Sequence, residues 1–123
     1  MKDAIRLNVY VSIKDGRLED FKGIAKDWSA NNYEERSDIL SYEWFFMDAD
    51  QTKALVMEVY ESSEAMLATL GKVSDTEAVE KPDYPYEMIK LEVAGNISDA
   101  LRKRLDAGPS DVVYYHRFDG FTR

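Results

Sequence analysis

Apolar and polar residues alternate along the first part of the chain. In the stretch IRLNVYVSI, residues Ile5–Ile13, every odd position is apolar, whereas Arg6, Asn8, Tyr10 and Ser12 occupy the even positions. A period of two is typical of a strand whose two faces meet different surroundings. The stretch therefore predicts a first strand with one apolar face and one polar, partly aromatic face.

A turn at residues 14–16 is followed by a helical pattern. Apolar residues then recur three or four positions apart, through roughly Glu34: Leu18, Phe21, Ile24, Ala25 and Trp28. This spacing places them on one side of an amphipathic helix. We expect the helix to cover one face of a sheet.

The middle of the chain has the pattern of a hairpin. The segments SYEWFFMD (residues 41–48) and KALVMEVYE (residues 53–61) are rich in aromatic and β-branched residues, and the polar ADQT joins them. That composition favours two strands connected by a turn. Ser62 or Ser63 can then cap a second helix, which Gly71 interrupts.

The remaining residues predict a fourth strand and an extension. Residues 73–85 predict an irregular or partly helical excursion that two prolines bring to an end, and YEMIKLEV (residues 86–93) predicts a strand. Ser98 then caps the helical segment at residues 99–108, and DVVYYHRF (residues 111–118) predicts a fifth strand.

The predicted order of elements is β-α-β-β-α-β followed by a helix and a strand. This is the split βαβ order of a ferredoxin-like α+β fold, an antiparallel sheet with two helices on one face. A length of 123 residues suits one domain. We interpret residues 1–95 as the core of a single domain spanning residues 1–123, with residues 96–123 as a C-terminal extension.

The predicted sheet has one face that the helices leave uncovered. We expect the helices to cover nine residues: Ile5, Leu7, Val9, Tyr42, Trp44, Phe46, Leu55, Met57 and Val59. The opposite face then mixes polar and aromatic residues: Asn8, Tyr10, Glu43, Phe45, Val56, Glu58 and Tyr60. Because this face is too aromatic to stay bare, we expect an isologous homodimer whose two sheets face each other around a cavity. The alternative is a monomer with an open, half-solvated sheet.

Composition narrows the classes of function. The chain has no cysteine, so it offers no disulfide, thiolate metal ligand or thiol nucleophile, and it suits the reducing cytoplasm. Its one histidine, His116, argues against a zinc or iron site, which needs several nitrogen or sulfur ligands. The net charge of −8 argues against nucleic acid as a partner. The polar residues of the first strand argue against a membrane span, so we expect a cytoplasmic protein.

Residues 42–70 resemble a known family. The run YEWFFMDADQTKALVMEVYESSEAMLATL is similar to the centre of the antibiotic biosynthesis monooxygenases, which are dimeric α+β barrels. The shared features are an aromatic strand, an acidic turn, a strand ending in Glu-x-Tyr or Glu-x-Trp, and a Ser-Glu-Ala helix start. The ending YYHRFDGFTR resembles the Gly-Phe-x-Arg close of a longer subgroup of that family.

The sequence also departs from this family. Thr69 stands where many relatives have a histidine, which argues against a mechanism that depends on that histidine. Asn8 resembles the haem-degrading branch, but Tyr60 stands where that branch has tryptophan and no ligating histidine follows. We therefore do not expect haem degradation.

The hairpin carries the candidate catalytic residues. If its turn is centred on Asp50 and Gln51, Glu43 lies directly opposite Glu58 on one face. Two directly opposite carboxylates in a dry site repel each other when both are charged, which raises the pKa of one of them. That carboxyl group can then exchange a proton near neutral pH. The sequence therefore predicts Glu58 and Glu43 as a catalytic pair.

Neighbouring strands complete the candidate site. The ferredoxin-like order places the third strand beside the first, so that Asn8 and Tyr10 lie near Glu58. We expect six residues to contact a substrate: Asn8, Tyr10, Phe45 and Tyr60, with Trp44 and His116 as further candidates. A one-residue slip of the hairpin places Trp44 in the cavity and Glu43 under the helices, an arrangement that buries a carboxylate without a partner.

The resemblance implies oxygenation of a small aromatic or quinol metabolite without metal, flavin or any other cofactor. The substrate anion itself reduces dioxygen in such a reaction. On that hypothesis Glu58 is the base, Asn8 and Tyr10 hold the anion, and Tyr60 orients the ring. The alternative is a non-catalytic small-molecule-binding or interaction protein of the same fold, in which Glu58 and Glu43 only bind water or a basic side chain.

Overall fold

The computed structural model describes residues 3–70 and 83–123, which form five strands and three helices. The elements are β1 (Ile5–Ile13), α1 (Leu18–Glu35), β2 (Ile39–Phe46), β3 (Lys53–Tyr60), α2 (Ser63–Leu70), β4 (Tyr86–Gly95), α3 (Asp99–Asp106) and β5 (Val112–His116). Each predicted strand and helix is present within a few residues of its expected bounds, and the α+β class is confirmed. Most of the excursion predicted at residues 73–85 lies outside the described residues.

The five strands form a single sheet in the order β2-β3-β1-β4-β5. The pairs β2–β3, β3–β1 and β1–β4 are antiparallel, as a ferredoxin-like sheet requires. The last strand, β5, pairs parallel to β4, which makes the whole sheet mixed. The C-terminal extension therefore widens the sheet by one strand.

All three helices pack on the same face of this sheet. Two clusters of buried apolar residues lie between helices and strands. The first joins β1 and β4 to α2 and α3: Ile5, Leu7, Val93, Met66, Leu101 and Leu105. The second joins β1 and β3 to α1: Val11, Ile13, Ala54 and Phe21. We call this side of the sheet the covered face and the other side the open face.

Serine side chains begin two of the helices. The Ser98 hydroxyl accepts a hydrogen bond from the Leu101 N–H at 3.1 Å, which confirms the predicted cap of α3. At the start of α2, the Ser62 hydroxyl accepts from the Ala65 N–H at 3.2 Å. Of the two serines that the sequence left open, Ser62 is therefore the capping residue.

The register of the β2–β3 hairpin differs from the prediction by one residue. The structure pairs Tyr42 with Glu58 and Glu43 with Met57. The loop causes this shift. It is closed by a hydrogen bond from the Met47 N–H to the Lys53 carbonyl at 2.9 Å, so its centre falls on residue 50 rather than between residues 50 and 51. The predicted pairing of Glu43 with Glu58 is therefore wrong.

This register also reverses the predicted faces of β3. Ala54, Val56, Glu58 and Tyr60 lie on the covered face and are buried, whereas the alternate residues Leu55, Met57 and Val59 lie on the open face. The expected faces of β1 and β2 are correct. Because β3 carries apolar residues at both its odd and its even positions, its own sequence pattern does not indicate which side faces the helices. Pairing with β1, where Leu7 lies opposite Glu58, decides it.

Candidate functional site

Glu58 is a buried carboxyl group on the covered face. Only 7% of the residue is exposed. Burial raises the pKa of Glu58 to about 7, because the charged form loses its hydration. A hydrogen bond from the Tyr60 hydroxyl to Glu58 Oε1, 2.5 Å long, favours the anion but does not outweigh burial. The group can therefore release or accept a proton near neutral pH.

Tyr60 links Glu58 to helix α2. Its side chain is buried, and its hydroxyl also interacts with the Thr69 side chain. Burial, followed by the charge of Glu58, raises the pKa of Tyr60, so the phenol stays protonated and donates to the carboxylate. Thr69, near the C-terminal end of α2, therefore lies beside the Tyr60 hydroxyl.

Two further tyrosines on the covered face interact electrostatically with Glu58. Tyr42 is directly opposite Glu58 on β2, and its pKa is raised by burial and then by the charge of Glu58. For Tyr86 on β4, burial raises the pKa to about 12, and the charges of Tyr84 and Glu58 add to the effect. Both phenols are neutral donors at neutral pH. Neither tyrosine was predicted as a neighbour of Glu58; Tyr42 was expected under the helices, on the face opposite to the one predicted for Glu58.

Trp44 contributes a buried N–H group to the same face. Its ring packs edge-on against Phe21 of α1, with ring centroids 5.3 Å apart, and against Tyr42 at 6.2 Å. The Trp44 indole lies near the Tyr42 hydroxyl and interacts with it electrostatically. Among the residues that the structure describes, however, the buried Trp44 Nε1–H has no acceptor in hydrogen-bond geometry. A buried donor without an acceptor costs about 1–3 kcal/mol, so such groups are rare. We call Glu58, Tyr60, Tyr42, Tyr86 and Trp44 the Glu58 site.

Aromatic rings from α1 and the start of β4 pack around this site. The Trp28 ring contacts Tyr86 at a centroid distance of 6.2 Å, and Tyr84 stacks on Tyr86 at 5.4 Å. Phe21 also packs edge-on against Tyr86, at 6.0 Å. The surroundings of Glu58 are therefore aromatic and apolar, which explains the cost of ionising it.

The structure does not bring Asn8 and Tyr10 to Glu58. Both lie on the open face, where the Tyr10 hydroxyl donates a hydrogen bond to Glu92 of β4 and Asn8 lies directly opposite Glu92. The Tyr115 hydroxyl donates to Glu92 Oε2 at 3.2 Å, and Lys90 Nζ lies 4.6 Å from the centre of the Tyr10 ring. These hydrogen bonds, that of Tyr10 first, lower the pKa of Glu92. The predicted grouping of Asn8 and Tyr10 with Glu58 is wrong, since pairing with β4 places them beside a different carboxylate.

Glu43 and Phe45 are likewise on the open face, whereas Tyr60 and Trp44 share the covered face with Glu58. Two strands, β1 and β4, separate the His116 strand from β3. His116 instead lines a surface cleft of about 270 Å³ together with Arg6 and Arg117. Of the predicted residues, the structure therefore groups Tyr60 and Trp44 with Glu58 and separates the others from it.

Two surface clefts among the described residues have linings that do not include Glu58. A second cleft, of about 300 Å³, lies at the start of α2 and α3 and is lined by Ser62, Ser63 and Asn96 among others. Among the described residues, no cluster of three or more histidine, aspartate and glutamate side chains is arranged to hold a metal ion. In the same part of the chain, no helix combines the length and the hydrophobicity required to cross a membrane.

Several solved structures share this fold. MupZ from Pseudomonas fluorescens has a TM-score of 0.77 and 22% sequence identity, over 98% of this chain and 94% of MupZ. A candidate oxidoreductase of unknown function from Bacteroides thetaiotaomicron has a TM-score of 0.59 and 24% identity, over 76% and 97% of the two chains. A candidate antibiotic biosynthesis monooxygenase from Caulobacter crescentus has a TM-score of 0.61 and 15% identity, over 79% and 92%.

Sequence comparison adds no family assignment to this structural likeness. No family model matches the sequence, and a search of curated proteins finds no significant match. The likeness to MupZ extends over nearly all residues and therefore includes the C-terminal helix and strand. The chain thus has the ferredoxin-like fold of the antibiotic biosynthesis monooxygenases.

Proposed function

We propose that this protein is a small oxygenase that uses Glu58 to remove the proton of a phenol or quinol, whose anion then reacts with dioxygen. The observation that supports the proposal is a carboxyl group with a pKa of about 7 in a buried aromatic environment. A general base acts best when its pKa lies near the working pH. The similar structures that are candidate monooxygenases and oxidoreductases agree with this class of reaction.

The surroundings of Glu58 suit an aromatic, uncharged substrate. Rings of Tyr42, Tyr86 and Trp44 offer edges and faces against which another ring can pack. Because only 7% of Glu58 is exposed, a substrate reaches it by displacing some of these side chains. Tyr60, with Thr69 behind it, holds one carboxyl oxygen of Glu58 and leaves the other to receive the proton.

The reaction needs no separate reductant. A phenol with an unsubstituted para carbon loses its O–H proton to Glu58, and the resulting anion transfers electrons to O2 and forms a carbon–oxygen bond at that carbon. Loss of the C–H proton and cleavage of the O–O bond then give a quinone and one water. One O2 is consumed per ring, and the substrate supplies all four electrons.

The open face is assigned to a second copy of the chain. Phe45, Met57, Val113 and Tyr115 are each between 42% and 51% exposed there, and Asn8, Tyr10 and Glu43 lie among them. Apolar residues gathered in this way mark an interaction surface, and a two-fold axis makes such a face complementary to itself. Sedimentation should show a dimer that Met57→Glu dissociates, whereas Tyr33→Glu on exposed α1 should not. A monomeric wild type contradicts this assignment.

Oxygen uptake with a panel of quinols and phenols tests the enzymatic proposal. We expect wild type to consume one O2 per quinone formed and Glu58→Gln to lose at least about 100-fold in kcat/KM. Glu43→Gln, on the open face, is the matched control and should retain activity. If no compound supports uptake, the protein is a non-catalytic binding or interaction protein. If Glu58→Gln retains full activity, Glu58 is not the base.

A further inference from the structure

The unpaired indole N–H of Trp44 lies close to the proposed base. Trp44 is opposite Val56 on β3, and Val56 is two positions before Glu58 on the same covered face. Side chains in such diagonal positions across a strand pair are roughly 7–8 Å apart at their backbones, which is within reach of one shared ligand. One small aromatic molecule can therefore contact Glu58 and Trp44 together.

The orientation of the indole is held by aromatic contacts rather than by a hydrogen bond. Its edge-on packing on Phe21 at 5.3 Å and its contact with Tyr42 at 6.2 Å restrain the ring. Phenylalanine provides similar packing without a polar atom, so packing alone does not account for a buried N–H without an acceptor. This donor fits an acceptor that arrives with a ligand.

We propose that the Trp44 Nε1–H binds the oxygen atom of the substrate from which Glu58 removes the proton. This inference rests on the proposed function, and it names the group that binds the anion formed there. One hydroxyl then satisfies both residues: its hydrogen points to Glu58 and a lone pair accepts from Trp44. After proton transfer, the indole continues to donate to the anionic oxygen, and it does not protonate that oxygen because an indole N–H is a far weaker acid than a phenol.

This pairing of groups defines a class of ligands. A phenol, enol or quinol both donates and accepts at one oxygen, whereas an aryl methyl ether only accepts. A carboxylate is repelled by the Glu58 anion. Arg36, whose charge acts on Tyr60, does not offset this repulsion, because it is ion-paired with Asp38 at 2.9 Å and donates to the Ala65 carbonyl. The site therefore selects uncharged hydroxyaromatic compounds.

The test compares two probes, 4-nitrophenol and nitrobenzene, which lacks this oxygen, at a pH below neutrality. For wild type we expect tighter binding of 4-nitrophenol. In Trp44→Phe the dissociation constant of 4-nitrophenol should rise about tenfold, the loss of one neutral hydrogen bond, while that of nitrobenzene, which has no hydroxyl oxygen to accept from the indole, changes much less. Trp28→Phe is the matched control, since it removes the chain's other tryptophan from the same aromatic packing and should preserve the preference between the probes.

A second measurement does not depend on the folding of a variant. In 15N-labelled wild type, the indole N–H resonance of Trp44, assigned by its presence in Trp28→Phe, should move downfield when 4-nitrophenol binds. The Trp28 resonance should move less. If the Trp44 resonance is unchanged, or if Trp44→Phe weakens both probes equally, the indole only packs in this region and the inference is wrong.

These outcomes are separable from the fate of the proposed function. If Glu58→Gln abolishes oxygen uptake while Trp44→Phe binds both probes as wild type does, the oxygenase proposal stands and the role of Trp44 is refuted. If no quinol supports uptake but the Trp44-dependent preference for 4-nitrophenol is present, the indole binds hydroxyaromatic ligands in a protein that is not an oxygenase.

Discussion

Replacing Glu58 by glutamine should stabilise the protein at alkaline pH. Burial raises the pKa of Glu58 from its ordinary value of 4.5 to about 7 in the folded chain. The difference is about 2.5, and at about 1.36 kcal/mol for each pKa unit it corresponds to about 3 kcal/mol. The carboxylate therefore destabilises the folded state by about 3 kcal/mol at a pH where it is fully ionised.

The sign of the effect follows from the two protonation equilibria. Below pH 4.5 Glu58 is protonated in both states and its ionisation has no influence on stability. Between pH 4.5 and about 7 the unfolded chain has released a proton that the folded chain retains, so the free energy of unfolding falls as pH rises. Above pH 7 the full penalty is present. Glutamine remains neutral and keeps an oxygen that accepts from Tyr60, so Glu58→Gln escapes this penalty.

Urea unfolding at fixed protein concentration, repeated from pH 5 to pH 9, measures the difference between variant and wild type. It should be small at pH 5 and reach about 3 kcal/mol in favour of Glu58→Gln at pH 8 and above. Glu43→Gln, which removes an exposed carboxylate from the same hairpin, is the control. A difference that stays constant with pH, or one that Glu43→Gln reproduces, would falsify the burial argument.

Three further substitutions test other contacts. In Tyr60→Phe, Glu58 loses the hydroxyl that donates to it, so the pKa of Glu58 should rise further. The midpoint of kcat/KM against pH should then increase by about one unit, and an unchanged midpoint refutes this. Gly95→Ala should lower the free energy of unfolding by about 2 kcal/mol or more, because the new Cβ lies 2.7 Å from the Ala4 carbonyl oxygen and residue 95 has a φ of +141°. Wild-type stability of this variant in urea contradicts the prediction. Gln51→Gly should raise that free energy by about 0.5–1 kcal/mol, since Gln51 has a φ of +58°, and a loss of stability in the same assay argues against strain there.

The sequence by itself determined the identity and order of the elements. The strict alternation over Ile5–Ile13 and the cap at Ser98 depend on residues close together in the chain, and the structure reproduces both. Once strands and helices are known, few arrangements can bury all the apolar faces with right-handed connections, so the ferredoxin-like order followed as well. Glu58 and Tyr60 were also expected to share a face, but on the side of the sheet that the helices leave uncovered.

Tertiary structure alone decided which side chains meet Glu58. Leu55 and Met57 are as apolar as the residues that alternate with them, so the pattern of β3 is compatible with either face. The five-residue loop at 48–52 shifts the pairing of the hairpin by one position, and a shift of one residue moves every side chain of a strand to the opposite face. Tyr86 approaches Glu58, and Asn8 approaches Glu92, only because β4 pairs with β1. Contacts between strands this far apart in sequence leave no mark in local periodicity, and for that physical reason only the folded chain defines the site.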